Sequence, residues 1–262
     1  MSLVTLSASG PVLTVELNRP RSRNALSVEL CDAIVDAFGQ AAIDPEARVI
    51  VLSGAGPVFC SGADLAAVSG PKGVDFLPAF ERMLEAVGAH PLPTVARIQG
   101  AALGGGLQLA SVCDFRVCAT NAQLGIPSSR LGVVVNLENV ERLVDLIGMA
   151  RAKEVLMTGR TYTGEDALRA GLVSKVCAPH EIERATERTA LAIAERAPLS
   201  VRGAKRAIGV IAEEHSVRKL NPQAALEVDA LVAEAYASDD LGEGIQAMTE
   251  KRTPDFRALD RG

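Results

Sequence analysis

The stretch TVARIQGAALGGGLQLASVCD, Thr94–Asp114, decides how the rest of the chain is read. An apolar, strand-like run over Val95–Ile98 meets a turn at Gln99–Gly100. Three consecutive glycines, Gly104–Gly106, then open an apolar helical segment over Leu107–Val112. Glycine in a helix interior costs about 1 kcal/mol relative to alanine. Three together at a helix start imply that something approaches the backbone closely, either a packed strand or a ligand. The first N–H groups of a helix lack internal acceptors and lie at the positive end of its dipole. Such an entry can hold an oxygen of a phosphate or a thioester.

Upstream stands a second unit of the same kind. The short apolar strand RVIVLS, Arg48–Ser53, feeds the loop GAGPVFCSGADL, Gly54–Leu65, whose turn is Cys60–Asp64. Both strand-to-turn units carry small residues, so both can expose backbone N–H groups at one end of a sheet. Two such donors aimed at one point form an oxyanion hole, each typically worth roughly 2.7–4 kcal/mol in a reaction that uses it. Two ordinary tight turns would read the same way from composition alone.

Working outward, Val12–Leu17 alternates like a half-buried strand, and with Val4–Leu6 before Gly10–Pro11 it predicts a β-hairpin. NRPRSRNALS, Asn18–Ser27, is a polar loop ending in a candidate helix cap, Ser27. Leu30, Ala33, Ile34, Ala37, Phe38 and Ala41 make the apolar stripe of a helix that follows. Val68–Asp75 reads as a surface loop and Phe76–Ala89 as a second amphipathic helix, stopped by Pro91 and Pro93. Beyond the glycine helix come a strand over Asp114–Ala119 and an extended piece over Gln123–Pro127. Helices follow over Asn136–Ile147 and Ala150–Met157, split at Gly148, and a last strand over Leu172–Val176. From Pro179 to Arg252 the pattern is almost wholly helical, with breaks near Ala197–Pro198, Asn221–Pro222 and Ser238–Asp239. Strands alternating with helices and then helices alone predict an α/β core with a C-terminal helical extension. The expected division is 1–196 for the core and 197–262 for the helical region.

A net charge of −5 gives no footprint for nucleic acid or a polybasic membrane patch. No run of about 18 apolar residues predicts a membrane span, and MSLVTLSASG lacks the character of a signal peptide. Five scattered cysteines without a C-x-x-C pair predict reduced thiols and a cytoplasmic setting. No clustered Cys/His spacing predicts a metal site, and His90, His180 and His215 are too far apart to form one.

The pieces NRPRSRNALS, VFCSGADL, IQGAALGGGLQLASVCDFRV, AQLGIPSSRLG, LMTGRTYTGEDALRAGLVSKV and EKRTPDF, in this order and spacing, resemble the crotonase (enoyl-CoA hydratase/isomerase) superfamily over nearly the whole chain. The resemblance implies a spiral of ββα units with a C-terminal helical oligomerisation region, a homotrimer or homohexamer, and a coenzyme A thioester as ligand with no permanently bound cofactor. It assigns the Ala63 and Gly105 N–H groups to the thioester carbonyl oxygen. Arg21, Ser22, Arg23, Ser61, Asp64, Leu65 and Lys251 then cradle coenzyme A. Arg21, Arg23 and Lys251 would equally serve as solvated surface charge.

Two departures bear on activity. Family hydratases place glutamates where this chain has Gln108 and Ser128. An amide does not titrate near neutral pH, and a serine hydroxyl has no basic form there without an activating partner. General acid–base catalysis contributes about 10²–10⁴-fold per group, so the expectation is acyl-CoA binding with little or no hydratase activity. The alternative is an active hydratase, isomerase or thioesterase using a non-standard group such as Glu138, which by its place in a helix's first turn reads first as a helix-end carboxylate. A purely structural oligomer is the third reading, and the small residues kept in both loops argue against it. Cys60, near the first donor, reads as a small buried thiol rather than a nucleophile.

Overall fold

A computed structural model describes residues 2–65 and 73–256. Residues 68–72 of the expected Val68–Asp75 loop lie outside the described residues. The chain runs β1 (Val4–Ser9), β2 (Val12–Leu17), α1 (Val28–Ala42), β3 (Val49–Gly54), α2 (Gly73–Gly88), β4 (Thr94–Ile98), β5 (Ala101–Leu103) and α3 (Gly105–Ser111). It continues through β6 (Phe115–Ala119), β7 (Gln123–Gly125), α4 (Leu137–Thr158), β8 (Thr161–Thr163), α5 (Gly164–Ala170) and β9 (Lys175–Cys177). The C-terminal helices are α6 (Ile182–Ala194), α7 (Pro198–Glu214), α8 (Val217–Leu220), α9 (Pro222–Ala237) and α10 (Asp239–Glu250). This is the mixed α/β order read from the sequence, with C-terminal helices present.

Two compact units emerge. One comprises Met1–Leu124 with Tyr162–Ile211, and the other Gly125–Thr161 with Ala212–Gly262. The first holds a six-stranded sheet in the order β1-β2-β3-β4-β6-β9. Only the β1–β2 hairpin is antiparallel; every later pairing in this sheet is parallel. β3 is buried at all six positions, which explains its apolar run Val49–Leu52. Val12, Val49, Val51, Val95 and Val117 form one face and pack with Ala185 and Ala190 of α6. By the period of two, Ile50 and Leu52 belong to the opposite face. Three short strands, β5-β7-β8, form a second sheet, and β8 was not foreseen from the sequence.

The Ser27 hydroxyl caps α1 by accepting the Leu30 N–H. The breaks read at Pro198, Pro222 and Asp239 are helix starts. Gly148 (φ 76°, ψ 159°) leaves helical geometry inside the run Leu137–Thr158. The strand expected at Leu172–Val176 is instead Lys175–Cys177. Gly171 ends α5 in the left-handed conformation, and the Leu172 N–H folds back to Ala167 O at 2.9 Å. Leu172 therefore belongs to the helix end rather than to the sheet.

Arg116 on β6 is only 6% exposed and has no carboxylate partner among the described residues. Its Nε donates to Leu172 O (2.8 Å), and one terminal nitrogen donates to Cys113 O (2.5 Å) and Ala110 O (3.4 Å). The guanidinium thus satisfies carbonyls at the C-terminal end of α3 and fixes that helix against β6. Burial lowers its pKa from the usual arginine value. Arg116→Leu should lower the unfolding free energy by about 3 kcal/mol, because buried carbonyls lose their donor. Urea denaturation reads this directly, and a loss near zero would refute the capping role.

Candidate functional site

The first loop is held as a third strand between two neighbours. On one side the Phe59 N–H donates to Gln99 O (2.9 Å), the Cys60 N–H to Ala101 O (3.0 Å), and the Leu103 N–H to Cys60 O (3.1 Å). On the other, the Ser61 N–H donates to Arg23 O (3.1 Å), the Leu26 N–H to Gly62 O (2.8 Å), and the Asp64 N–H to Leu26 O (2.8 Å). Ser61 and Asp64 donate to the same side although three residues apart, which strict alternation forbids. Gly62, at φ +102°, absorbs the extra residue as in a β-bulge. The Ala63 N–H is thereby left out of both ladders. It has no acceptor among the described residues.

The second loop produces a similar vacancy by another route. Gly104 (φ 53°, ψ −123°) turns β5 into α3, and its carbonyl accepts from the Leu107 and Gln108 N–H groups. Gly105 is the first helical residue, and its N–H has no acceptor among the described residues. Gly106 has a different reason to be glycine. A Cβ there would lie 2.4 Å from Cys60 O, so the helix start can touch the first loop only without a side chain.

The two loops meet closely. A Cβ on Gly62 would stand 2.8 Å from Leu103 O and 3.5 Å from the Gly105 nitrogen. The unpartnered N–H groups are thus on adjoining turns beyond the C-terminal ends of β3 and β4, as the sequence suggested. One on Gly105 would meet Leu26 Cδ1 and Phe80 Cε2, each at 3.2 Å. Phe80 stacks on Phe76 with centroids 5.6 Å apart, giving the second donor an apolar flank.

The residue holding the first loop was not recognised from the sequence. Asn24 is fully buried; its amide donates to Ala55 O and Val58 O (3.0 Å each) and Phe59 O (3.1 Å), and its oxygen accepts the Arg19 N–H (3.0 Å). Its backbone is left-handed (φ 54°), which asparagine tolerates better than most side chains, so the one signal in the sequence was an asparagine inside the polar loop. Arg19 was also missed. It donates to Asp64 at 3.0 Å and to Ala25 O at 2.5 Å. Arg21, Ser22 and Arg23 are exposed, while Ser61, Asp64 and Leu65 are half-buried; the Arg23–Ser61 bond brings the two groups together.

Gln108 follows Gly105 by three residues, on the same side of α3. It is half-buried, and its side-chain amide makes no hydrogen bond among the described residues. Cys60 is fully buried, and burial pushes its thiol up to about 12, so it stays protonated and is no nucleophile.

The other sequence-derived positions belong to the second unit. Ser128 opens a 3₁₀ turn and is half-buried. Glu138 is half-buried in the first turn of α4, whose cap is Asn136. Glu141, three residues on, bonds the Ser216 hydroxyl (3.3 Å) and the Val217 N–H at the start of α8. Lys251 is exposed and ends α10 with φ 56°. No group of three or more His, Cys, Asp or Glu able to hold a metal occurs among the described residues.

The comparisons agree with this architecture. The profile of the enoyl-CoA hydratase/isomerase family matches residues 7–259. "Probable enoyl-CoA hydratase echA6" of Mycobacterium tuberculosis is 35% identical over 259 residues, covering 97% of this chain and 99% of that protein. A solved methylmalonyl-CoA decarboxylase in complex with 2-nitronate-propionyl-CoA superposes with a TM-score of 0.87 at 26% identity, over 97% of this chain and 98% of that one. The enoyl-CoA hydratase of Bacillus anthracis gives 0.75 at 34% identity, over 97% and 98%. The fold is that of the crotonase superfamily. This chain belongs to its enoyl-CoA hydratase/isomerase family.

His90 is engaged structurally, away from both donor turns. Its Nε2 lies 3.2 Å from Phe38 O, and its Nδ1 accepts the Leu92 N–H at 3.1 Å, which makes Nε2 the protonated nitrogen. Burial, then the nearby Lys205 ammonium, lowers its pKa from 6.5. A folded pKa below the unfolded one means that the unfolded chain binds the extra proton. The associated stability is therefore complete above about pH 6.5 and declines as pH falls toward the lowered folded pKa. His90→Gln should flatten that part of the curve of unfolding free energy against pH; an unchanged slope would contradict the assignment.

Proposed function

We propose that this chain binds an acyl-CoA thioester and turns it over little or not at all as a hydratase. The observation that carries the reading is the pair of unpartnered main-chain N–H groups, Ala63 and Gly105, on adjoining turns, together with an amide rather than a carboxylate at Gln108. Two such donors suit a thioester carbonyl oxygen and polarise it toward an enolate. Gln108 hydrogen-bonds the ligand or a water without moving a proton. The coenzyme A ligands of two solved methylmalonyl-CoA decarboxylases, 2-nitronate-propionyl-CoA and 2S-carboxypropyl-CoA, support the ligand class.

Arg21, Ser22, Arg23, Ser61, Asp64, Leu65 and Lys251 hold coenzyme A in this reading, with Asp64 acting while paired to Arg19. Ser128 and Gln108 occupy the positions of the family's acid–base groups. Residues 197–262 form the helical trimerisation region of a cytoplasmic homotrimer or homohexamer.

Calorimetric titration with crotonyl-CoA, paired with loss of the conjugated enoyl absorbance, tests the proposal. Binding without absorbance loss supports it. Rapid hydration abolished by Glu138→Gln would instead establish the enzyme reading. Gly105→Pro deletes one donor at a helix position that tolerates proline, and should weaken binding about tenfold. Gly105→Ala retains the N–H while introducing the same Cβ contacts with Leu26 and Phe80, so it should bind more tightly than Gly105→Pro and isolates the loss of the donor. Gln108→Glu, by returning one titratable group, should raise crotonyl-CoA hydration by about 10²-fold.

A further inference from the structure

At the N-terminal ends of the central strands β3 and β4, opposite the donor turns, the first unit contains a cavity of about 360 Å³. It is lined by segments that immediately precede β3 and β4, by the C-terminal ends of α1 and α6, and by the start of α7. Three arginines, Arg48, Arg196 and Arg202, are among its lining residues, against one acidic residue, Asp44. This is a local excess of positive charge in a chain whose net charge is −5.

The carboxylate forms no ion pair with these groups among the described residues. Asp44 accepts the Glu46 N–H at 2.9 Å. Among the described residues, the guanidiniums of Arg48 and Arg202 have no hydrogen-bond or ion-pair partner. Arg196 uses only its Nε, donating to Ala192 O at 3.1 Å, which leaves its terminal nitrogens for another acceptor. The 17-residue helix α7 begins at the cavity with no acidic residue in its first turn, so its positive dipole end adds to the same field. Pro45, Pro91, Pro93 and Pro198 stiffen the walls. A cavity of this size fits a small molecule. Three planar forks around one space match the oxygens of a phosphate better than a single carboxylate.

We infer that this cleft is a binding site for a phosphate-bearing small molecule, separate from the thioester-binding turns and independent of the function proposed for them. Arg48 and Arg202 supply the principal contacts, and Arg196 closes the third side. These arginines are exposed, so their replacement should leave the chain folded, and because Arg202 lies in the proposed trimerisation region the oligomeric state of the variants is compared with that of the parent by sedimentation.

Titration calorimetry at low ionic strength with inorganic phosphate, pyrophosphate and ADP tests the inference on the full chain. The expected result is one pyrophosphate per chain, weakened at least tenfold in the Arg48→Gln/Arg202→Gln double variant and changed less than twofold in Arg21→Gln. ADP binding that is more than tenfold tighter, with the same arginine dependence, would support the site and identify the source as a nucleotide. Equal binding would support it with the phosphate groups as the whole epitope. An absence of heat with all three probes would overturn the inference. So would weakening by Arg21→Gln and not by the double variant, which would place the anion at the proposed coenzyme A loop. A thermal melt of the double variant matching the parent excludes unfolding as the cause.

Discussion

The pairing of residues 59–64 between the Arg23–Leu26 segment and the Gln99–Leu103 segment is the constraint on which the site depends. A loop alone would not hold a bare amide in place, because the backbone would find its own acceptors or solvent. Here six of the neighbouring groups are committed to ladder bonds, and the bulge at Gly62 leaves one N–H over. The same ladder carries the chain from β5 to the helix start that leaves a second N–H over. Both vacancies are products of ordinary sheet and helix geometry, which is why no special side chain is needed to create them.

Support for that arrangement is spread through the first unit. Asn24 ties three carbonyls of the first loop, while Gln99 donates from its side chain to Gly54 O. Arg116 fixes the far end of α3 against β6. Asp114 accepts from the Thr94 N–H (2.7 Å), the Thr94 hydroxyl (3.0 Å) and Lys205 (2.7 Å), anchoring the entry of β4. Polar side chains tied to backbone groups of several segments restrict the chain to one geometry. A donor pair needs that rigidity, since its advantage over water lies in not having to reorganise.

Much of this was legible in the sequence, and the exceptions have physical causes. The glycines at 104–106, the Ser27 cap and the proline-marked helix starts announced themselves because backbone geometry dictates residue type there. The extra exposed length of β1, the short strand β8 and the true position of β9 did not, because strands of three residues are fixed by their neighbours and not by their own periodicity. Asn24 and Arg19 lay in a polar loop that read as solvent-exposed. Only the tertiary fold shows that one is fully buried and the other is paired with Asp64. The family resemblance located Ala63 and Gly105 in the sequence, whereas the bulge that strips Ala63 of an acceptor is a matter of three-dimensional register.

The central claim is that two peptide N–H groups grip a thioester carbonyl. Isotope-edited infrared spectroscopy of an acyl-CoA labelled with ¹³C at that carbonyl reports the contact itself, independent of any turnover. The account predicts that the carbonyl stretch moves to lower frequency on binding, as hydrogen bonds polarise the bond. A bound ligand whose stretch stays at its value in water, or moves higher, would contradict it.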